Sequence, residues 1–146
     1  MANPLTAKSK ASIDPERPST AQPQVTTMSI LAPALGWLIP GGGHLIQRHW
    51  IRGLLLMVSI VTMFLLGLAM QGRVYKPNGG DILDILGFIG DVGSGALYIV
   101  TRAMDWGQGA IAHATADFGT KFIIVAGLLN FISVGDAYHI AIGKKP

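Results

Sequence analysis

The stretch "GLLLMVSIVTMFLLGLAMQG", residues 53–72, is 20 residues without a charge, bracketed by Arg52 and Arg73. A helix rises ~1.5 Å per residue, so this one reaches ~30 Å, the thickness of a bilayer's hydrocarbon core. A helix buried inside a water-soluble domain is seldom apolar on every side over such a length. The stretch therefore predicts a transmembrane helix. The composition agrees. Charged residues make up 13% of the chain, about half the ~25% of soluble domains, and the mean hydropathy is +0.46.

Three weaker segments accompany it. Residues 25–39, "VTTMSILAPALGWLI", are uncharged but short, with Pro33 inside, and either span or dip in and return. Residues 122–143 lie between Lys121 and Lys144 and are long enough to span, although Asn130, Asp136 and His139 interrupt them. Residues 81–101 carry Asp81, Asp84 and Asp91. The expected fold class is all-α, an integral membrane helical bundle of three to four transmembrane or re-entrant helices. They fall at about 28–39, 48–71, 82–101 and 121–142, making 28–146 one membrane-embedded domain. In residues 102–120, Gly107, Gly109 and Gly119 argue against a long uninterrupted helix and leave room for a short one around 108–117. Trp106 and Phe118 suit the interfacial level.

Residues 1–27 read as a disordered polar amino-terminal tail, with four prolines and no apolar periodicity. A signal peptide competes, because Met28–Ile39 has the length of an apolar signal core. The basic residues Lys8, Lys10 and Arg17 lie far upstream, however, and no small-x-small cleavage site follows. Orientation depends on the first segment. With four spans and the amino terminus inside, Lys8, Lys10, Arg17, Arg73, Lys76, Lys144 and Lys145 are inside, seven against four. With a re-entrant first segment, Lys8, Lys10, Arg17, Arg48, Arg52, Arg102 and Lys121 are inside, again seven against four. The positive-inside rule favours a cytoplasmic amino terminus in both, while the carboxyl terminus changes sides.

On a helical wheel of 82–101, Asp84, Gly87, Asp91, Ser94, Tyr98 and Arg102 fall on one side and Ile85, Phe88, Ile89, Val92, Ala96 and Ile99 on the other. Small residues let membrane helices approach closely, and polar ones turn toward the bundle. The stripe predicts a helix packed in a bundle, with Arg102 a candidate partner for an acid. The competing reading is an amphipathic helix lying in the interface. The Gly/Asp face of 82–101 is also the expected surface for protein partners or a second copy of the chain.

The turn "IPGGGHLIQRHWIRG", residues 39–53, could be a phosphate loop, a metal site or a membrane reversal. A Walker loop requires Gly-Lys-Ser/Thr and a dinucleotide fingerprint requires a preceding strand; neither is present. The mechanical reading is a reversal: Pro40 ends the preceding segment, Gly41 and Gly43 permit positive φ, and His44, Arg48, His49, Trp50 and Arg52 form an interfacial rim before Gly53. No Cys is present, which removes disulfides, thiolate metal sites and a Cys nucleophile. Asp136 with His139, and His113 with Asp117, are helical neighbours, but two groups make no metal site without further converging ligands. No basic run interleaved with aromatics points to nucleic acid. The expected partner is the lipid bilayer, with no nucleic acid and no cofactor.

The segment "GWLIPGGGHLIQRHWIRGLLL" resembles the hairpin of the TM-two domain family, small membrane proteins with a Gly-rich turn followed by a polar residue, an aromatic-basic stretch and a glycine opening the second helix. Gly36, Gly43, His44 and Gly53 stand at matching positions, whereas the family's aspartate-arginine-phenylalanine-type turn signature is absent. The longer pattern is similar to a group of uncharacterised bacterial membrane proteins, through "GWLIPGGGH", "YKPNGGDILDILGFIGD", "RAMDWGQG", "ATADFGTKFIIVAGLLN" and "DAYHIAIG". That resemblance implies a bacterial inner-membrane protein over about residues 30–143 and assigns no activity.

Asp91 and Asp136 carry the sharpest chemistry, since a carboxylate inside a membrane is costly unless paired, neutralised or functional. The structural reading pairs Asp91 with Arg102, and Asp136 with an arginine of the 48–52 loop. Asp84, Asn130 and His139 complete the buried polar candidates. The functional expectation is a non-enzymatic structural or accessory subunit. The alternative is a small transporter or proton- or cation-coupled component using Asp91 and Asp136. A third class, an enzyme acting on lipid, requires a wet cleft that gathers His44, His49 and a carboxylate.

Overall fold

A computed structural model describes residues 27–77, 81–109 and 114–144. It is all-helical among these residues apart from one isolated antiparallel bridge, Arg73 to Gln108. The order is α1 (Thr27–Leu38), α2 (Gly42–Ile46), α3 (Trp50–Ala69), α4 (Ile82–Gly93), α5 (Ala96–Ala103) and α6 (Ala114–Ala141). The expected tail falls almost wholly outside the described residues, as does His113.

Two helices, α3 and α6, are long and apolar enough to cross a membrane. They run antiparallel. The start of α3 lies beside the far end of α6, because the turn glycine Gly43 faces Ala137. Gly67, near the end of α3, lies against the backbone of Gly119 near the start of α6. Close approach is possible because small residues line the contact: Gly67, Gly119 and Ala126 are all buried. Ile60, Phe64, Val74, Ile123 and Ala126 form the apolar core between them. Outward, Ile51, Leu54, Leu55, Val58 and Leu65 of α3 are exposed as a lipid-facing side requires.

None of the other helices is long enough to cross by itself. The 12 residues of α1 make a rod of about 18 Å. Ala32 lies level with Gly43 and Ala137, while Trp37 reaches Asn130 near the middle of α6. The chain then returns through the glycine turn to Gly43, so α1 is a re-entrant half-helix. From the opposite end α4 runs inward beside α6, with Gly90 on Ile124 and Gly93 on Phe131. Here the structure corrects the expectation of one helix over 82–101. The segment breaks at Ser94 and Gly95, and α5 departs at 109° to α4. Rods of about 18 and 12 Å at that angle end about 18 Å apart, short of the ~30 Å hydrocarbon core. The chain after α5 returns to the level it left, where Val74 N–H donates to the Gly107 carbonyl at 2.9 Å.

The fold is thus two helices long and apolar enough to cross a membrane, α3 and α6, with α1 and the bent α4–α5 pair entering the bundle from opposite ends and their tips meeting at α6. The amino-terminal end of α1 and the carboxyl-terminal end of α6 share one side. The expected break near Gly119 is also corrected: α6 runs unbroken over 28 residues, and Gly119 sits inside it where Gly67 and Gly72 press close. Of the wheel's small and polar stripe, Gly87, Asp91 and Ser94 are buried as anticipated, and Gly90 and Gly93, which the wheel did not place on it, are buried beside them. The small residues face Tyr75 and α6 of the same chain, so the face expected to receive a partner is filled internally. The wheel does not carry past the break, because α5 has turned away.

Candidate functional site

The polar groups gather at two places, the joint between the half-helix tips and the glycine turn. At the joint, the C-terminal ends of α1 and α4 both present unpaired carbonyls, which carry the negative end of each helix dipole. Asn130 resolves this. Its fully buried side-chain amide donates to the Trp37 carbonyl at 3.1 Å and to the Gly93 carbonyl at 2.8 Å, so that one NH2 group joins both tips. Trp37 adds a second tie, its Nε1–H donating to the Val92 carbonyl at 3.0 Å. Gly95 adopts φ +58° and lies directly against the Trp37 carbonyl, where a side chain has no room. One turn of α6 earlier, Gly127 packs on the Gly90 backbone and Ser94.

Asp91 lies at this joint, fully buried. Its Oδ2 accepts the backbone N–H of Tyr75 at 2.6 Å. The carboxylate therefore holds the loop after α3 against α4, with the Tyr75 ring filling the space over Gly87. That is not the expected pairing with Arg102, which sits at the outer end of α5, beyond the bend. Asp84 is half-buried in the first turn of α4, outside the joint. The loop is held again where Arg73 N–H donates to the Thr120 hydroxyl at 2.8 Å, and Arg73 stacks over Tyr75 at 5.4 Å. Burial raises the Tyr75 phenol above its usual range, reinforced by the negative charge of Asp84.

At the turn, Gly41 takes φ +76° and its Cα hydrogen side abuts the Gly53 carbonyl. Gly43 sits where a Cβ would stand 2.6 Å from the Ala32 carbonyl oxygen and 2.8 Å from Ala137, so α1, α2 and α6 meet there. Pro40 and His44 are buried. His44 Nε2 lies 3.1 Å from Asp136 Oδ2. That corrects the expected pairing with an arginine of the 48–52 loop, because the group facing Asp136 is His44 of α2. Gln47 ties the turn further, donating to the carbonyls of Gly43 and Ala137, each at 2.9 Å. His139 faces away, half-stacked on the neighbouring Tyr138 ring. Asp117 pairs with Lys121 at 2.6 Å on the surface. Among the described residues no three His, Asp or Glu side chains converge as a metal site requires.

Arg48, Trp50 and Arg52 stand outside this network. They are exposed and, with His49 and Ile51, line a cavity of about 510 Å³ at the entrance to α3. Arg48 holds φ +65°, unusual for a side chain other than glycine. The rim is therefore separate from buried His44, and the cleft that a lipid enzyme of the expected kind requires does not gather His44 with His49.

The residue-by-residue reading missed Trp37, Gln47, Tyr75 and Thr120. Their signal was weak in the sequence, because each acts on backbone groups that only the tertiary fold brings near. Comparison with curated proteins gives no match, and neither does comparison with solved structures. One family model matches, over residues 31–146, and its span takes in the glycine turn, both half-helix tips and all of α6. The chain belongs to that family, described as a family of unknown function, DUF6677.

Proposed function

We propose that this integral membrane protein is a non-enzymatic structural or accessory subunit of a bacterial inner membrane. The joint at Asn130 carries the reading. Two half-helices inserted from opposite sides are locked tip to tip by an amide that satisfies a carbonyl of each, which favours a plug over a path. The two acids on which the transport alternative depends are also engaged in holding backbone and turn: Asp91 binds Tyr75 N–H and Asp136 pairs with His44. The glycine reversal supports a TM-two-like hairpin, here folded with its first helix re-entrant. Protein partners, or a second copy of the chain, meet it in the bilayer plane through the outward apolar faces of α3 and α4.

The topology supports a cytoplasmic amino terminus. The end of the bundle that holds the start of α1 and the end of α6 also holds Arg48, Arg52 and Lys144, and the sequence leading into α1 adds Lys8, Lys10 and Arg17, against Arg73, Lys76, Arg102 and Lys121 at the other end. The test of the functional reading is a pair of substitutions at Asp91. Asp91→Leu removes the acceptor of Tyr75 N–H and lowers abundance in membranes, whereas Asp91→Asn keeps an acceptor and restores it. Neither changes cation flux into proteoliposomes. Wild-type flux that Asp91→Asn abolishes while the protein stays folded overturns the proposal in favour of transport.

A further inference from the structure

The basic rim at the entrance to α3 is not used by the network that holds the fold. No carboxylate among the described residues pairs with Arg48 or Arg52, whereas His44, three residues before Gln47, pairs through Nε2 with Asp136. Both arginines line the same cavity of about 510 Å³, together with His49, Trp50 and Ile51. The cavity's place in the membrane follows from α3 itself. Its 20 residues from Trp50 to Ala69 match the hydrocarbon thickness, so its first turn lies at headgroup level, at the end of the bundle that also holds the start of α1 and the end of α6. Trp50, 65% exposed, is the amphipathic ring expected at that depth. Below the rim, Ile51, Leu54, Leu55 and Val58 continue as an exposed apolar stripe along one face of α3.

We infer that this rim binds the headgroup of an anionic phospholipid. Two guanidinium groups with five donors each suit a phosphodiester, which accepts paired N–H bonds in the arginine's plane. The apolar stripe receives the attached acyl chain, and Trp50 bridges the two environments. The occupant is lipid and not free phosphate, because the charge lies directly over a surface that only a chain of hydrocarbon covers. The inference rests on the chain being a membrane protein and is independent of whether it is an accessory subunit or a transporter.

The test uses the full chain, delipidated in mild detergent and titrated with phosphatidylglycerol or phosphatidylcholine under native mass spectrometry. A basic residue near an anionic lipid surface contributes about fivefold in affinity. The double variant R48Q/R52Q therefore loses roughly 25-fold of the preference for phosphatidylglycerol. R48K/R52K retains most of the preference, which separates lost charge from lost fold. R73Q/K76Q removes two charges at the opposite end of α3 and leaves the preference unchanged. Equal retention of the two lipids by the wild-type chain overturns the inference. So does an undiminished preference in R48Q/R52Q, or a loss as large in R73Q/K76Q. Displacement of phosphatidylglycerol by millimolar inorganic phosphate overturns the assignment to lipid.

Discussion

Gly127→Ala isolates what the close approach of α4 to α6 is worth. A Cβ at position 127 would stand 2.8 Å from the carbonyl carbon of Gly90 and 3.0 Å from Ser94 Oγ, with the Gly90 oxygen nearer still. The first obstacle is backbone, so no rotamer change relieves it. The two helices must part by about an ångström, and overpacking of that kind costs about 1–3 kcal/mol or more. Separation also pulls the Gly93 carbonyl away from Asn130 Nδ2, now 2.8 Å apart, and a buried carbonyl left unpaired costs about 1–3 kcal/mol. Against this stands the helix preference of alanine over glycine, about 1 kcal/mol. The net expectation is a loss of about 2–4 kcal/mol. Gly135→Ala is the matched control, because it lies on the same helix and a Cβ there meets nothing within 4 Å. It keeps the propensity gain without the collision. Thermal unfolding of the purified chain in one detergent should place Gly127→Ala below wild type and Gly135→Ala at or above it. If Gly127→Ala melts as high as Gly135→Ala, the α4–α6 contact is not close-packed and the joint described above is wrong.

Three further outcomes follow from the same geometry. Asn130→Leu leaves the Trp37 and Gly93 carbonyls unpaired in a dry interior and lowers unfolding stability by about 2 kcal/mol or more; Asn130→Asp, which keeps the size but loses the donors, fails to rescue it. Single cysteines introduced at Leu45 and Lys144 react with a membrane-impermeant maleimide from the same side and one at Lys76 from the other; labelling of 45 and 144 from opposite sides refutes the re-entrant assignment of α1. The Tyr75 phenol is favoured in its neutral form when folded, since burial raises it. Its contribution to stability is therefore complete below the unfolded phenol value of about 10 and declines as pH rises beyond it. Tyr75→Phe should flatten the alkaline limb of a thermal-stability profile, and an unchanged limb would exclude Tyr75 as its source.

The boundaries of α3 were legible from the sequence. Lipid solvates every side of a crossing helix alike, so length and uninterrupted apolarity suffice, and the expected 48–71 became Trp50–Ala69. The burial of Gly87, Asp91 and Ser94 was legible too, because helical periodicity sorts small and polar residues from large apolar ones before any partner is known, whereas the burial of Gly90 and Gly93 was not. The pairing of Asp136 was missed, since charge complementarity favoured an arginine of the 48–52 loop and geometry brought His44 of α2.

What only the tertiary structure decided is which segments cross. Thr27–Leu38 and the 82–101 stretch are apolar enough to enter the bilayer, and periodicity sees nothing at Ser94 and Gly95 to stop a helix. They stop because each half-helix ends where its carbonyls can be satisfied, and the groups that satisfy them are Asn130 and Trp37, 37 and 55 residues from their acceptors at Gly93 and Val92. A half-helix tip in a membrane is stable only where another part of the chain supplies its hydrogen bonds. That requirement is met by contacts distant in sequence, and it brings the start of α1 and the end of α6 to the same end of the bundle.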